Sequence, residues 1–291
     1  MVKLQTSLPE LVTDPATIRA LTQEAREQGK TIGLVPTMGA LHDGHLSLVK
    51  ASTEQCDLTV VTIFINPTQF TDKNDWTEYP RDLQSDMEKL AGGEVSLVFA
   101  PTAEDIYPHG HVTSIHIGPL EKIVEGRCRP GHFSGVATVL AKLFQMIPAD
   151  TAFFGRKDYQ QLKVVERLVQ DLNVPIKVHG CPTIRDEDGL ALSSRNVFLS
   201  QEQRQQALSI PKALKLAERR IEEGETDARA IVAGMRSELS CSGALHIDYA
   251  LLADAETLKP VTTIQGPTVA LIAVRVGSTR LIDNEVMMPQ R

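Results

Sequence analysis

No stretch of this 291-residue chain approaches the roughly 20 consecutive apolar residues that cross a bilayer, so no membrane span is expected. The N-terminus Met1-Val2-Lys3-Leu4-Gln5-Thr6 lacks the charged head and apolar core of a signal peptide. Cysteine is sparse: Cys56, Cys128, Cys181 and Cys241 are scattered and form no Cys-x-x-Cys. A reducing cytoplasm is therefore expected rather than a disulfide framework. Basic residues are in deficit, 30 Lys and Arg against 37 Asp and Glu, for a net charge of −7. That argues against nucleic-acid binding, which wants a basic face. There is no internal repeat, no Gly-x-Gly-x-x-Gly after the first strand and no Gly-x-Ser-x-Gly elbow. Solenoids, dinucleotide binding and Ser/His/Asp hydrolysis lose their signatures. What remains is 42% apolar and 23% charged, with core enough for one large domain or two ordinary ones.

The most informative stretch is His42-Asp43-Gly44-His45. Before it, Thr31-Ile32-Gly33-Leu34-Val35 reads as a buried strand, broken by Pro36-Thr37-Met38-Gly39-Ala40-Leu41. After it, Leu46, Leu48, Val49 and Cys56 recur at helical spacing. Both histidines thus fall where a strand ends and a helix begins. There, unpaired backbone N–H groups and the helix dipole favour an anion. Gly44 removes a side chain between the imidazoles, so a phosphate can approach the backbone. Two other readings stand beside this one: half of a metal site, although zinc needs a third and usually a fourth ligand, or two ordinary surface histidines. A nucleoside triphosphate suits the pattern best, and no metal site is expected.

Along the chain, helical periodicity is read at Ile18–Glu27, Arg81–Leu90, Ser134–Ile147 and Asp158–Leu172, and apolar runs mark strands at Leu58–Ile65, Val95–Phe99, Thr151–Phe154 and Ile176–Val178. Alternating strands and helices predict an α/β fold, a parallel sheet with helices on both faces. Gly39–His45, Asn66–Gln69 and Gly155–Asp158 all lie at strand carboxyl ends, where such sheets bind ligands. The pattern changes near Ile184. Helices at Gln201–Glu223, kinked or broken at Pro211, and Asp227–Leu239 precede strands His246–Ala253 and Val269–Val276. The expected division is residues 1–183 and a smaller α+β C-terminal domain, residues 184–291, able to act as a lid.

Cations concentrate locally despite the acidic balance: Arg127 and Arg129, Arg156 and Lys157, Arg185 and Arg195. Gly155-Arg156-Lys157-Asp158-Tyr159-Gln160-Gln161 joins a strand to a helix. Asp158 and Gln161 alone fit helix capping, while Lys157 projects a cation that can neutralise phosphate oxygens. Leu192-Ser193-Ser194-Arg195-Asn196 reads as a phosphate clamp or as an ordinary polar loop. Gly126–Gly135, with Arg129 and His132, reads as a site element or as a solvated basic turn. Asp82, Asp86 and Glu88 have the rough spacing of metal-binding carboxylates but read rather as a solvated acidic helix face.

Five motifs in order carry a resemblance: Pro36–His45, Phe64-Ile65-Asn66-Pro67-Thr68-Gln69-Phe70, Arg129-Pro130-Gly131-His132-Phe133, Lys157–Gln161 and Leu192–Asn196. Together they resemble the pantothenate synthetases (pantoate–β-alanine ligases), nearly end to end. The first is similar to the HIGH signature of the wider nucleotidyltransferase superfamily, with Ser193-Ser194-Arg195 in the place of its KMSKS-type loop. The resemblance implies a Rossmann-like N-terminal domain, a small closing C-terminal domain and a homodimer. It implies that ATP, with Mg2+ carried on the nucleotide, and (R)-pantoate give pantoyl adenylate and pyrophosphate. β-Alanine then displaces AMP to give pantothenate. One departure is visible: Arg156 stands where the family usually carries glutamate. Gly131 and Ala40 read as tolerated variation.

On that resemblance His45, His42 and Lys157 are the catalytic candidates. ATP is expected to meet Met38, Gly39, His42, His45, Gly155, Lys157, Asp158, Ile184, Leu192, Ser193, Ser194 and Arg195. Pantoate would meet Gln69 and Gln161, and β-alanine would meet Gln69. Asn66, Arg129 and His132 are additional candidates. Phe64, Val139 and Leu140 enclose the pantoate methyls or simply pack the core. Two other functions fit parts of the pattern: nucleotidyl transfer to a phosphorylated acceptor, against which Gln69 and Gln161 argue, and a nucleotide-binding regulatory module without chemistry.

Overall fold

A computed structural model describes residues 8–71, 76–77, 79–92, 94–241, 243 and 245–289. The chain divides into two compact units. The first comprises residues through Arg156 with Gln161–Pro182, and the second comprises Lys157–Gln160 with the residues from Thr183 onward.

In the first unit the order is β1 (Glu10–Val12), α1 (Pro15–Glu27), β2 (Ile32–Thr37), α2 (Asp43–Thr53), β3 (Leu58–Ile63), α3 (Leu83–Leu90) and β4 (Leu97–Phe99). Short α4 (Ala103–Ile106) and α5 (Val124–Cys128) lead to α6 (His132–Met146), β5 (Thr151–Gly155), α7 (Tyr159–Asp171, whose first two residues group with the second unit) and β6 (Lys177–Cys181). The strands form one parallel sheet, ordered β1-β4-β3-β2-β5-β6. Successive residues point to opposite faces. Leu34, Val60, Phe99, Ala152 and Phe154 join one core with Ile18, Val136, Leu140 and Val165, while Val35, Val61, Val98 and Phe153 join another with Leu48, Val49, Met87 and Leu90. Burial on both faces is why these strands read as unbroken apolar runs. The chain steps from β2 through β3 to β4 on one side, then from β5 to β6 on the other. Strand order therefore reverses between β2 and β5, the place where open α/β sheets bind ligands beyond their carboxyl ends.

The second unit contains α8 (Gln201–Ala207), α9 (Ser209–Glu222), α10 (Ala228–Ser240) and an antiparallel sheet of β7 (Leu245–Asp254), β8 (Thr268–Val276) and β9 (Thr279–Met287). Its core gathers Leu214, Ile221, Ile231 and Met235 with Leu252, Ile272, Val274 and Leu281. Helix and strand ends differ from the sequence expectations by a few residues. The expected helix Gln201–Glu223 is two helices meeting at Leu208, not one kinked at Pro211. Pro211 lies in the first turn of α9, where a missing N–H costs no helical bond. Strands β1 and β9 were not expected. Among the described residues no helix is long and apolar enough to cross a membrane.

Candidate active site

The loop between β2 and α2 carries both histidines. His42 is the N-cap of α2, in extended backbone (φ −142°), and its Nδ1 accepts the Gly44 N–H at 3.1 Å. His45, three residues on, accepts the His42 N–H through its own Nδ1 at 3.4 Å. The two rings lie 4.2 Å apart, tilted by 43°. This is a capping box built from imidazoles in place of hydroxyl and carboxylate. Expected free amide donors are thereby consumed: the N–H groups of His45 and Leu46 also bond, to the His42 carbonyl. An Nδ1 that accepts a backbone N–H carries no proton, so each neutral ring holds its proton on Nε2. The imidazoles therefore take up backbone donors that the sequence leaves for an anion, and they bring Nε2 as the second polar atom of each ring to this helix start.

Ahead of the histidines the backbone is left-handed at Gly39 (φ 82°) and Ala40 (φ 51°). Gly39 donates its N–H to Thr37 Oγ1 at 3.1 Å, so its carbonyl is what it can offer a nucleotide. A Cβ there would stand 2.8 Å from Asp86 Oδ2 and 3.1 Å from an Ile63 methyl, which explains the glycine. Asp86 was expected on a solvated face. It is instead 2% exposed, because its carboxylate accepts the Ala40 and Leu41 N–H groups.

The turn after β3 carries Gln69. Asn66, 1% exposed, caps a single 3-10 turn (Pro67–Gln69) through Thr68. Its Nδ2 donates to Gln69 Oε1 and to the Gly135 carbonyl, both at 3.1 Å. Gln69 Nε2 contacts Met38 Sδ at 2.6 Å, which joins this turn to the histidine loop. His132 Nδ1 lies 2.7 Å from the Gln69 carbonyl, and Arg129 reaches both that carbonyl (3.4 Å) and His132 Nε2 (3.2 Å). Tyr107, missed in the sequence, donates its hydroxyl to Asn66 Oδ1 at 2.8 Å. Burial pushes its phenol above the ordinary value, with hydrogen bonds to Thr68 and Asn66 pulling the other way, so it stays a donor at neutral pH. Arg129 and His132 thus belong to a bracing network behind Gln69 rather than to a solvated turn. Phe64, Val139 and Leu140 sit in the core cluster.

Gly155 ends β5, the neighbour of β2, and Gln161 is half-buried in the first turn of α7. The remaining expected residues belong to the second unit. Ile184 and Leu192 face each other across a hairpin, Leu192 N–H to Ile184 carbonyl at 2.9 Å. Arg204 holds the hairpin end through Asp186 and Asp188, at 2.7 and 2.9 Å. Ser193 then caps a 3-10 turn, Ser194–Phe198, that carries Ser194 and Arg195. Lys157 is half-buried beside exposed Asp158, and its carbonyl accepts from Asn284 Nδ2 at 2.7 Å. Asn284, 4% exposed, was not expected from the sequence.

A family profile described as Pantoate-beta-alanine ligase matches residues 10–286. The chain belongs to the pantoate–β-alanine ligase family. It is 48% identical to the pantothenate synthetase of Moorella thermoacetica over 96% of this chain and 98% of that one. It is 49% identical to that of Rhodopirellula baltica, over 96% and 99%. Among solved structures, pantothenate synthetase from Thermus thermophilus superposes with a TM-score of 0.90 at 42% identity, covering 95% and 98% of the two chains. The Francisella tularensis pantoate–β-alanine ligase, solved with β-γ ATP and β-alanine, gives 0.78 at 33%, covering 96% and 97%. Membership fixes the reaction as ligation of pantoate to β-alanine.

One expectation needs correcting. Arg185 was grouped with the anion-binding cations, yet its guanidinium grips Asp283 at 2.6 and 3.2 Å and also reaches Glu285. Burial pulls its pKa down, and the Asp283 and Glu285 carboxylates more than offset that, leaving it raised. It is a structural cation. Arg156, at the family's usual glutamate position, is exposed and donates Nε–H to the Gly180 carbonyl at 3.0 Å. Among the described residues no group of three His, Cys, Asp or Glu side chains is arranged to hold a metal.

Proposed function

We propose that the carboxyl ends of β2, β3 and β5 bind MgATP beside (R)-pantoate and promote attack of the pantoate carboxylate on the α-phosphorus. The observation that carries this reading is the imidazole capping box: two rings, 4.2 Å apart, each accepting a backbone N–H at Nδ1. Attack by a carboxylate builds negative charge on the α-phosphoryl oxygens, and fixed donors aimed at that charge lower the barrier. His45 is the principal donor and His42 its companion. Lys157, Ser193, Ser194 and Arg195 neutralise the departing pyrophosphate, since ammonium and guanidinium groups stabilise phosphoryl charge. Met38, Gly39, Gly155, Asp158, Ile184 and Leu192 hold the rest of the nucleotide.

Gln69 and Gln161, each able to donate and accept, hold the pantoate hydroxyls and carboxylate. After pyrophosphate leaves, β-alanine enters beside Gln69. Its amine attacks the mixed anhydride carbonyl, AMP departs with the bonding pair, and the amine loses a proton. Asn66, Arg129 and His132 keep Gln69 in place. The enzyme works as a cytoplasmic homodimer without a nucleic-acid partner. The net charge of −7 supports the last point, free cysteines the location, and family membership the dimer.

The test is exchange of labelled pyrophosphate into ATP. Exchange that requires pantoate but not β-alanine supports the ligase. Exchange only with a phosphorylated acceptor means nucleotidyl transfer, and no exchange at all means a binding module; either sinks the reading.

A further inference from the structure

Helix α3 takes no part in the reaction as described, yet two of its side chains reach the peptides that lead into His42. Asp86 Oδ2 accepts the Ala40 N–H at 2.9 Å and Oδ1 accepts the Leu41 N–H at 2.7 Å. Three residues on, Lys89 Nζ donates to the Leu41 carbonyl at 2.8 Å. The peptide groups on both sides of Leu41 are therefore held, and the next residue is the helix cap. Ala40 sits in left-handed backbone (φ 51°), which a residue with a side chain keeps only when its surroundings hold it there. Leu41 itself is 3% exposed, buried with Met87 and Leu90 of the same helix.

Chemistry makes this choice informative. A buried carboxylate near a polyphosphate site repels the ligand, and a neutral side chain of the same shape would fill the space without that cost. Only a carboxylate, however, offers two acceptors to two adjacent N–H donors, since an amide offers one. We propose that Asp86 and Lys89 are positioning residues for adenylation. They fix the backbone of residues 39–42 and, with it, the two imidazoles that meet the triphosphate. This rests on the role given above to the two histidines. The Gln69 turn meets this loop at Met38 Sδ but is also held by Asn66, His132 and Arg129, outside the segment that Asp86 and Lys89 fix, so the clamp acts first on ATP chemistry and far less on pantoate recognition.

The experiment measures pantoate-dependent pyrophosphate exchange in the wild-type enzyme, in Asp86→Asn, which keeps the volume and one acceptor, and in Lys89→Met, which removes only the ammonium. All assays run well below each variant's Tm. For Asp86→Asn a fall in kcat/KM for ATP of at least tenfold is expected, with KM for pantoate within twofold. For Lys89→Met the expected fall is about threefold or more. A purely stabilising role predicts a lower Tm with unchanged exchange, and that result in folded Asp86→Asn overturns the proposal. Should Asp86→Asn fail to fold, Lys89→Met decides, because its side chain is exposed; wild-type kinetics there overturn it equally. Equal losses toward ATP and pantoate also refute it. Absence of exchange in the wild-type enzyme is a different failure, that of the functional reading.

Discussion

Gly135→Ala measures how closely the pantoate side of the site is built. Gly135 lies in the first turn of α6, facing the Gln69 turn. A methyl there would stand 2.5 Å from the Thr68 carbonyl oxygen, 2.7 Å from its carbon and 2.8 Å from the Gln69 nitrogen. All three are backbone atoms, so no rotamer relieves the clash. Ordinary contact begins at 3.4 Å, so helix and turn must part by about 0.9 Å. That separation stretches the bond from Asn66 Nδ2 to the Gly135 carbonyl, now 3.1 Å, to about 4 Å, beyond hydrogen bonding. Overpacking of this kind costs about 1–3 kcal/mol, which lowers Tm by about 2–4 °C per kcal/mol in a unit of this size. The functional effect should be larger, because a misplacement near 1 Å can cost about a hundredfold in rate. Pyrophosphate exchange should show at least a tenfold fall in kcat/KM for pantoate, with KM for ATP within twofold. Calorimetry supplies the Tm. If pantoate kinetics and Tm both match wild type, the turn has slack and Gln69 is not held as described.

His45→Ala should cut exchange at least about a hundredfold while costing about 1 kcal/mol of stability through the lost cap. Early unfolding with near-normal turnover would make the residue structural. Arg185→Met leaves the Asp283 carboxylate, 3% exposed, with the Asn284 N–H but without its guanidinium, and should cost about 3 kcal/mol in urea unfolding. Adding Asp283→Leu should recover most of that loss, and a single-variant loss under about 1 kcal/mol would refute the pairing argument. Glu285 has its pKa raised, by burial first, against the opposing pull of Arg185. Its folded value lies above its unfolded one, so its charged form opposes folding and stability falls as pH rises through the folded pKa. Glu285→Gln should therefore raise the unfolding midpoint at pH 8 and leave it unchanged near pH 3.5. A gain of equal size at both pH values would contradict this.

The parallel sheet was legible because strands buried on both faces must be apolar throughout, as in Leu58–Ile63. Strand β9 was not, because Arg280, Asp283, Asn284 and Glu285 break its pattern and find their partners only in three dimensions. The two histidines were placed correctly at a helix start, but their donor arrangement was not. Imidazole capping has no sequence signature comparable to serine three residues before glutamate. Asp86 does leave a signal in the sequence: it sits four residues before Leu90 and next to Met87, on the buried face of its helix. A charge on an apolar face asks for a partner. Which partner was hidden, because the loop it holds lies 45 residues earlier.

Lys157–Gln160 group with the C-terminal half although they interrupt the N-terminal half in sequence. The Lys157 carbonyl is anchored by Asn284, and the Tyr159 hydroxyl donates to the Ala255 carbonyl at 2.8 Å. Recombination between homologues is therefore constrained in an unusual way. A crossover near residue 183 leaves both halves of the chain intact on paper, yet seats one parent's Lys157 peptide on the other parent's last strand. Hybrids that keep Lys157–Gln160, Ala255 and Asn284 from a single parent should inherit activity more often than those that split them.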